Sequence, residues 1–388
     1  MASPSRIRGL KTLAAALFVL ALAAAGTATA GQRGQSGAPT PHAAAWIVAA
    51  PGRGGWLVAR HADVRRAVAS LTKLMTARLV LARGELGHVV VVRRDAATVG
   101  ESVVGLRAGE RQRVGALLEA LLVPSANDAA VALADDVGGT QPAFVRRMNA
   151  EARRLGLRHT HYRTPYGLDT PGQYSSARDV LRLAMLDMRN PVFRDMVRRA
   201  RGAIPGHSFV SRNDLLTTYA GTDGVKTGHT RQAGWNLVAS AERNGVRLYA
   251  VVLGSPTQAR RDVDVTRLLD WGFDQFDRAT LVRRGQQLGD VPVAWSSGTV
   301  PVAAGAALRR MVRVHERLEE QLALPDHVEG PVPAGARVGE LTVLRGGTVV
   351  GRVPLVITRP VSAPSLVDKA AWMGRRTLSN LTSLGGLI

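Results

Sequence analysis

The chain has 388 residues and a hydrophobic share of 46%, which suits one large domain plus something smaller, and it carries a formal net charge of +21. It has no cysteine, and this excludes disulfides, thiol catalysis and cysteine-ligated zinc. The positive balance favours anionic surfaces such as phospholipid or wall polymers; nucleic acid is set aside because the amino terminus points to export.

Arg6, Arg8 and Lys11 precede an apolar run over 13–25, followed by Ala28-Thr29-Ala30 and Gly31. This is the layout of a secretory signal over residues 1–30, with cleavage expected after Ala30. The apolar run falls short of the ~20 residues that span a bilayer, which argues against an uncleaved anchor. Residues 31–43, rich in Gly, Ser, Ala, Gln and Pro, read as a flexible lead-in. Two short strands are predicted within 44–59 around the turn Pro51-Gly-Arg-Gly-Gly55. The spacing of Leu71, Leu74, Met75, Arg78 and Leu79 predicts a helix over 70–83, stopped by Gly84. Residues 114–122 and 127–137 read as two more helices joined by Pro124-Ser125-Ala126, and 144–155 and 177–188 as further helical segments. Strands are expected at 237–241 and 248–253, around the hairpin signal Asn244-Gly245. From Leu281 onward, short Val-rich runs at 291–294, 299–302, 310–314, 341–344 and 349–357 indicate a small β-domain over 279–361.

Lysine is scarce: the chain has only Lys11, Lys73, Lys226 and Lys369, and nearly every other positive charge is arginine. Arginine stays charged, whereas a buried lysine amine beside another cation can lose its proton, so a site that needs an amine base keeps lysine. Lys73 belongs to Ser70-Leu-Thr-Lys73, whose spacing of three puts hydroxyl and amine on one helix face. A serine hydroxyl becomes a nucleophile when a base takes its proton, and a neutral lysine can be that base. The bland reading of this tetrad is an N-cap serine and a surface lysine. Lys226-Thr227-Gly228 precedes a predicted strand edge, where a cation and a hydroxyl can hold a carboxylate and Gly228 gives close backbone access. Ser125-Ala126-Asn127 offers a second hydroxyl and an amide, with an N-cap pair as the plain alternative. Together, in this order, the three match the set known from penicillin-binding proteins and serine β-lactamases. The pair His159-Thr-His161 lacks any accompanying ligand set and reads as surface histidines, so no metal and no cofactor is expected.

On these residues the chain resembles the low-molecular-mass D-alanyl-D-alanine carboxypeptidases. The likeness includes Ala69-Ser-Leu-Thr-Lys-Leu-Met-Thr-Ala77, Leu122-Val-Pro-Ser-Ala-Asn-Asp-Ala-Ala130, Met148-Asn149, Leu155-Gly-Leu157, Gly167-Leu-Asp169 and Asp223-Gly-Val-Lys-Thr-Gly-His-Thr230, and it spans roughly 44–276 and, more weakly, the tail. The resemblance implies an α/β transpeptidase-like fold over 44–278, with a helical cluster against a mainly antiparallel sheet. It implies that Ser70 attacks the D-Ala-D-Ala bond of a peptidoglycan stem peptide and that Lys73 is the general base. By the same resemblance, Ser125 and Lys226 would assist proton transfer, Asn127 and Thr227 would hold substrate, and the N–H groups of Ser70 and His229 would form the oxyanion hole. β-Lactams would acylate the same serine. Ala126 stands where many relatives have glycine, adding one methyl group. An arginine that binds the terminal carboxylate in relatives corresponds to Arg260 or Arg261, and the spacing to Trp271-Gly-Phe273 favours Arg261.

In residues 362–388, Leu366, Ala370, Met373, Leu381, Leu384 and Ile388 recur at helical spacing, with Lys369, Arg375 and Arg376 off that line and Trp372 suited to a lipid interface. This predicts an amphipathic helix on an anionic membrane surface, a frayed or docked tail being the alternative. The expected location is the periplasm or the extracytoplasmic face of the cytoplasmic membrane. A β-lactamase, a D,D-endopeptidase and an inactive wall- or β-lactam-binding protein are the competing readings.

Overall fold

The structure, a computed structural model, describes residues 37–53 and 55–373, which fall into two units divided after Phe276. The expected signal, the start of the lead-in and the tail beyond residue 373 lie outside the described residues.

The first unit runs β1 (Ala45–Ala50), β2 (Gly55–Arg60), a 3-10 turn (Ala69–Thr72), α1 (Lys73–Arg83), β3 (Val89–Val91), α2 (Arg94–Thr98), β4 (Arg111–Arg113), α3 (Val114–Leu122), α4 (Asn127–Gly138) and α5 (Gln141–Arg154). It continues with α6 (Ala177–Asp187), α7 (Pro191–Val197), β5 (Arg201–Ile204), β6 (His207–Val210), α8 (Leu215–Thr218), β7 (Thr222–Thr230), β8 (Gly234–Arg243), β9 (Val246–Ser255) and α9 (Gln258–Asp274). Five strands form an antiparallel sheet in the order β2-β1-β9-β8-β7.

Strand β1 is buried along its whole length, so its apolar run is continuous rather than alternating, as in a strand covered on both faces. Side chains two apart still divide between the faces. Ala45, Ile47 and Ala49 join Tyr249, Val251 and Leu253 in the core shared with the helical cluster. Val48 and Leu248 face α9, at Gly272, where a β-carbon would lie 2.7 Å from Leu248 Cδ1. Opposite, α1 is the central helix and packs against α3, α4, α5 and α6. The helices start where the sequence supplies oxygen caps: side chains of Thr140, Ser176, Asn190 and Thr257 accept from the first-turn N–H groups of α5, α6, α7 and α9. Gly84, at φ +78°, ends α1, and Asn244 and Gly245, both at positive φ, make the β8–β9 turn.

Several features depart from the periodicity, two of them near the site. Ser70 lies in the 3-10 turn that precedes α1, three residues before the α-helix begins at Lys73, whereas the spacing predicted the helix from position 70. Helix α9 had no expectation, because its buried face mixes Val265, Leu268, Leu269 and Gly272 with the buried Arg261 and Asp264, which blurs the apolar stripe.

The second unit contains β10 (Phe276–Val282), β11 (Gln287–Pro292), β12 (Thr299–Ala304), β13 (Leu308–Arg313), β14 (Glu319–Ala323), β15 (Arg337–Arg345) and β16 (Thr348–Ile357). Five of them form a sheet in the order β11-β12-β16-β15-β14, and β10 pairs with β13. Val291, Val302, Leu341, Val343, Val353, Leu355 and Ile357 belong to its separate core. A helix over 366–373 follows, with Leu366 86% and Val367 77% exposed. Its Trp372 ring meets Trp295 edge-on at 5.2 Å.

Candidate active site

Ser70 is half-buried, whereas Lys73 is fully buried one turn later. Ala69, just before the serine, holds φ +50°, a left-handed conformation that costs a residue with a β-carbon ~1–3 kcal/mol and clusters at functional sites. Lys73 Nζ lies 2.8 Å from Ser70 Oγ, 2.7 Å from Asn127 Oδ1 and 2.9 Å from the Tyr166 carbonyl oxygen. Two of these three neighbours can only accept. A neutral amine donates to both and turns its lone pair to the third, the Ser70 hydroxyl, which can donate. Burial, reinforced by the positive charges of Lys226 and Arg212, lowers the Lys73 pKa well below that of an ordinary lysine.

The loop that supplies the Tyr166 carbonyl is fastened on both sides. Thr76 Oγ1 donates to Pro165 O at 2.6 Å, and Thr230 Oγ1 donates to Asp169 Oδ1 at 2.6 Å. Gly167 passes so close to the nucleophile turn that a β-carbon there would sit 2.1 Å from Ala69 O. Ser125 lies between α3 and α4, buried and at φ +71°. Asn127 is pinned by its own N–H to Ser102 O at 2.6 Å and by its side-chain amide to Gly100 O at 3.0 Å. Asp128 next to it accepts from the N–H groups of Val104, Gly105 and Leu106. Asn127 and Asp128 are thereby tied to the 99–106 loop.

Strand β7 is the last of its sheet, so one of its edges has no strand partner among the described residues. It carries Lys226, Thr227, Gly228 and His229. A β-carbon on Gly228 would lie 2.9 Å from Val68 O and 3.1 Å from Ser70 N, so glycine lets the strand lie against the nucleophile's own backbone. Lys226 is 2% exposed, and its one hydrogen-bond partner among the described residues is Thr227 O at 3.0 Å. Burial, then the charges of Arg212 and Arg261, lower its pKa to about 7.

His229 is exposed and stacks on Trp235 at 3.9 Å between centroids. Arg261 is 1% exposed, donates from Nε to Asp262 Oδ1 at 2.8 Å, and lies 5.8 Å from the Trp235 ring centroid. Its charge bears on Lys226, whereas Arg260 is exposed. Arg212, exposed in the segment after β6, bears on both lysines and was not singled out from the sequence. It is one arginine among many, and only the fold brings its charge to the amines.

A serine beside a buried amine, at the free edge of an antiparallel sheet covered by helices, defines a serine acyl-transfer enzyme of the penicillin-binding class. A profile described as D-alanyl-D-alanine carboxypeptidase, peptidase S11, matches residues 32–257, and one described as penicillin-binding protein 5, C-terminal domain, matches 276–363. The chain belongs to the D-alanyl-D-alanine carboxypeptidase family. It is 35% identical over 380 residues to D-alanyl-D-alanine carboxypeptidase DacD of Salmonella typhimurium, covering 92% of this chain and 96% of the relative. Penicillin binding protein 5 of Haemophilus influenzae superposes with a TM-score of 0.62 at 30% identity, over 84% of this chain and 99% of that one. The Streptomyces K15 DD-transpeptidase superposes with a TM-score of 0.58 at 32% identity, over 61% of this chain and 99% of that one.

Proposed function

We propose that the protein is an exported serine D,D-carboxypeptidase that removes the terminal D-alanine from peptidoglycan stem peptides. The observation that carries this reading is the 2.8 Å contact between Ser70 Oγ and Lys73 Nζ, an amine whose other partners only accept hydrogen bonds. Lys73 takes the Ser70 proton as Oγ attacks the carbonyl carbon of the penultimate D-alanine. The N–H groups of Ser70 and His229 hold the resulting oxyanion. Collapse breaks the C–N bond, and the departing amine takes the proton that Lys73 had accepted, relayed through Ser125 and Lys226, which leaves an ester on Ser70 and Lys73 neutral again. Water, deprotonated by Lys73, then hydrolyses the ester. Asn127 holds the substrate backbone against the β7 edge, and Thr227 with the cationic cluster of Lys226 and Arg212 receives the terminal carboxylate. Arg261 adds its charge from behind Trp235.

β-Lactams, as mimics of the same peptide, acylate Ser70. Incubation with a labelled penicillin tests the reading: a long-lived adduct on the Ser70 peptide is the expected result, and no adduct would reject it. Monomeric pentapeptide should lose D-alanine, which separates a carboxypeptidase from an endopeptidase. The signal layout supports a periplasmic or extracytoplasmic location. The exposed Leu366 and Val367 support contact of the tail with an anionic membrane surface.

A further inference from the structure

One imidazole outside the reacting groups joins two segments far apart in sequence. His207 opens β6, and its Nδ1 lies 3.0 Å from Val104 O while its Nε2 lies 2.8 Å from Glu110 Oε1. Its side chain is 14% exposed. Gln112 fastens the turn of the same β5–β6 hairpin, donating to Pro205 O at 2.7 Å and to Glu110 Oε1 at 2.6 Å. Both ring nitrogens of His207 thus lie within hydrogen-bond distance of an oxygen, one on each of two separate segments.

Val104 belongs to the 99–106 loop, which has no regular secondary structure and depends on such contacts for its shape. Asp128 holds Val104 by its N–H, and His207 holds it by its carbonyl. The same loop supplies Gly100 O and Ser102 O to Asn127, whose Oδ1 meets Lys73 Nζ. We infer that His207 is a positioning residue for the reaction: through Val104 it keeps the 99–106 loop in the form that fixes Asn127 and hence Lys73 beside Ser70. This rests on the acyl-enzyme reading above.

Asparagine and glutamine separate the two contacts, since the asparagine amide nitrogen stands near the place of Nδ1 and that of glutamine near the place of Nε2. The second-order rate constant for acylation by a labelled penicillin should fall about tenfold in His207→Ala and His207→Gln, the scale of one lost buried hydrogen bond, and recover in His207→Asn. A mere strut through Glu110 predicts the reverse order. Recovery in the glutamine variant alone, or all three variants within about twofold of wild type, would overturn the inference. A second readout needs no chemistry: amide exchange at 104–106 should quicken in His207→Ala and His207→Gln but not in His207→Asn. Unchanged exchange in the alanine variant would also overturn it, whereas a wild-type protein that takes no label would count against the acyl-enzyme reading alone.

Discussion

An arginine at position 73 would keep its charge at any pH the protein meets, whereas the buried amine of Lys73 gives up its proton readily. Lys73→Arg is therefore expected to leave the circular dichroism spectrum intact and to slow penicillin acylation at least a hundredfold, the lower end of what a positioned base contributes (~10²–10⁴). Acylation faster than that would reject Lys73 as base. Acid should slow the wild-type reaction, because the base Lys73 takes up a proton as pH falls. Arg212 sharpens this: as a like charge it holds both lysines down, so Arg212→Gln should raise both and move the acid limb of the acylation profile to higher pH. A limb that stays in place would remove Arg212 from the electrostatics. The two lysines were legible in the sequence because arginine replaces lysine almost everywhere else. Arg212 was not, and neither were the positive φ angles of Ala69 and Ser125, which tertiary contacts impose on ordinary residues.

Strand β7 works by lying close, and Gly228 permits it. Gly228→Ala would set a methyl group 2.9 Å from Val68 O and 3.1 Å from Ser70 N, both backbone atoms that yield little. Acylation is expected to fall about a hundredfold, the cost of a misplaced reacting group, with little change in the unfolding midpoint. A variant that acylates normally would show that the turn can withdraw. Helix α9 provides the contrast. Removing its cap oxygen in Thr257→Ala should lower stability by ~1 kcal/mol in denaturant titration and leave acylation unchanged, because the cap touches only the Arg260 N–H. Helices α1, α3 and α4 announced themselves by spacing, and β8 and β9 by the Asn-Gly turn. The β5–β6 hairpin and β14 did not: the first has only half-buried alternation and the second reads Glu-Glu-Gln-Leu-Ala, an edge strand with solvent on one face.

The two units have separate cores, and the Streptomyces K15 DD-transpeptidase matches 61% of this chain over 99% of its own length. Residues 31–276 alone are accordingly expected to take up labelled penicillin at the rate of the full chain; a slower or unlabelled fragment would make the β-rich unit part of the working enzyme. Loss of residues 364–388 should free the protein from vesicles of anionic lipid, and unchanged sedimentation would dismiss the tail as an anchor. The β-rich unit was readable from its short Val-rich runs, whereas the docking of Trp372 on Trp295 is a long-range contact with no local signature.

The burial of Lys73 and Lys226 has a practical corollary. Beyond residue 36, Lys369 is the one partly accessible side-chain amine, so a succinimidyl dye or resin applied to native protein should couple there, apart from the chain's own amino terminus and Lys11 where they are retained. Protein immobilised at Lys369 would be tethered by its tail, with the cleft chemistry untouched until unfolding uncovers the other two.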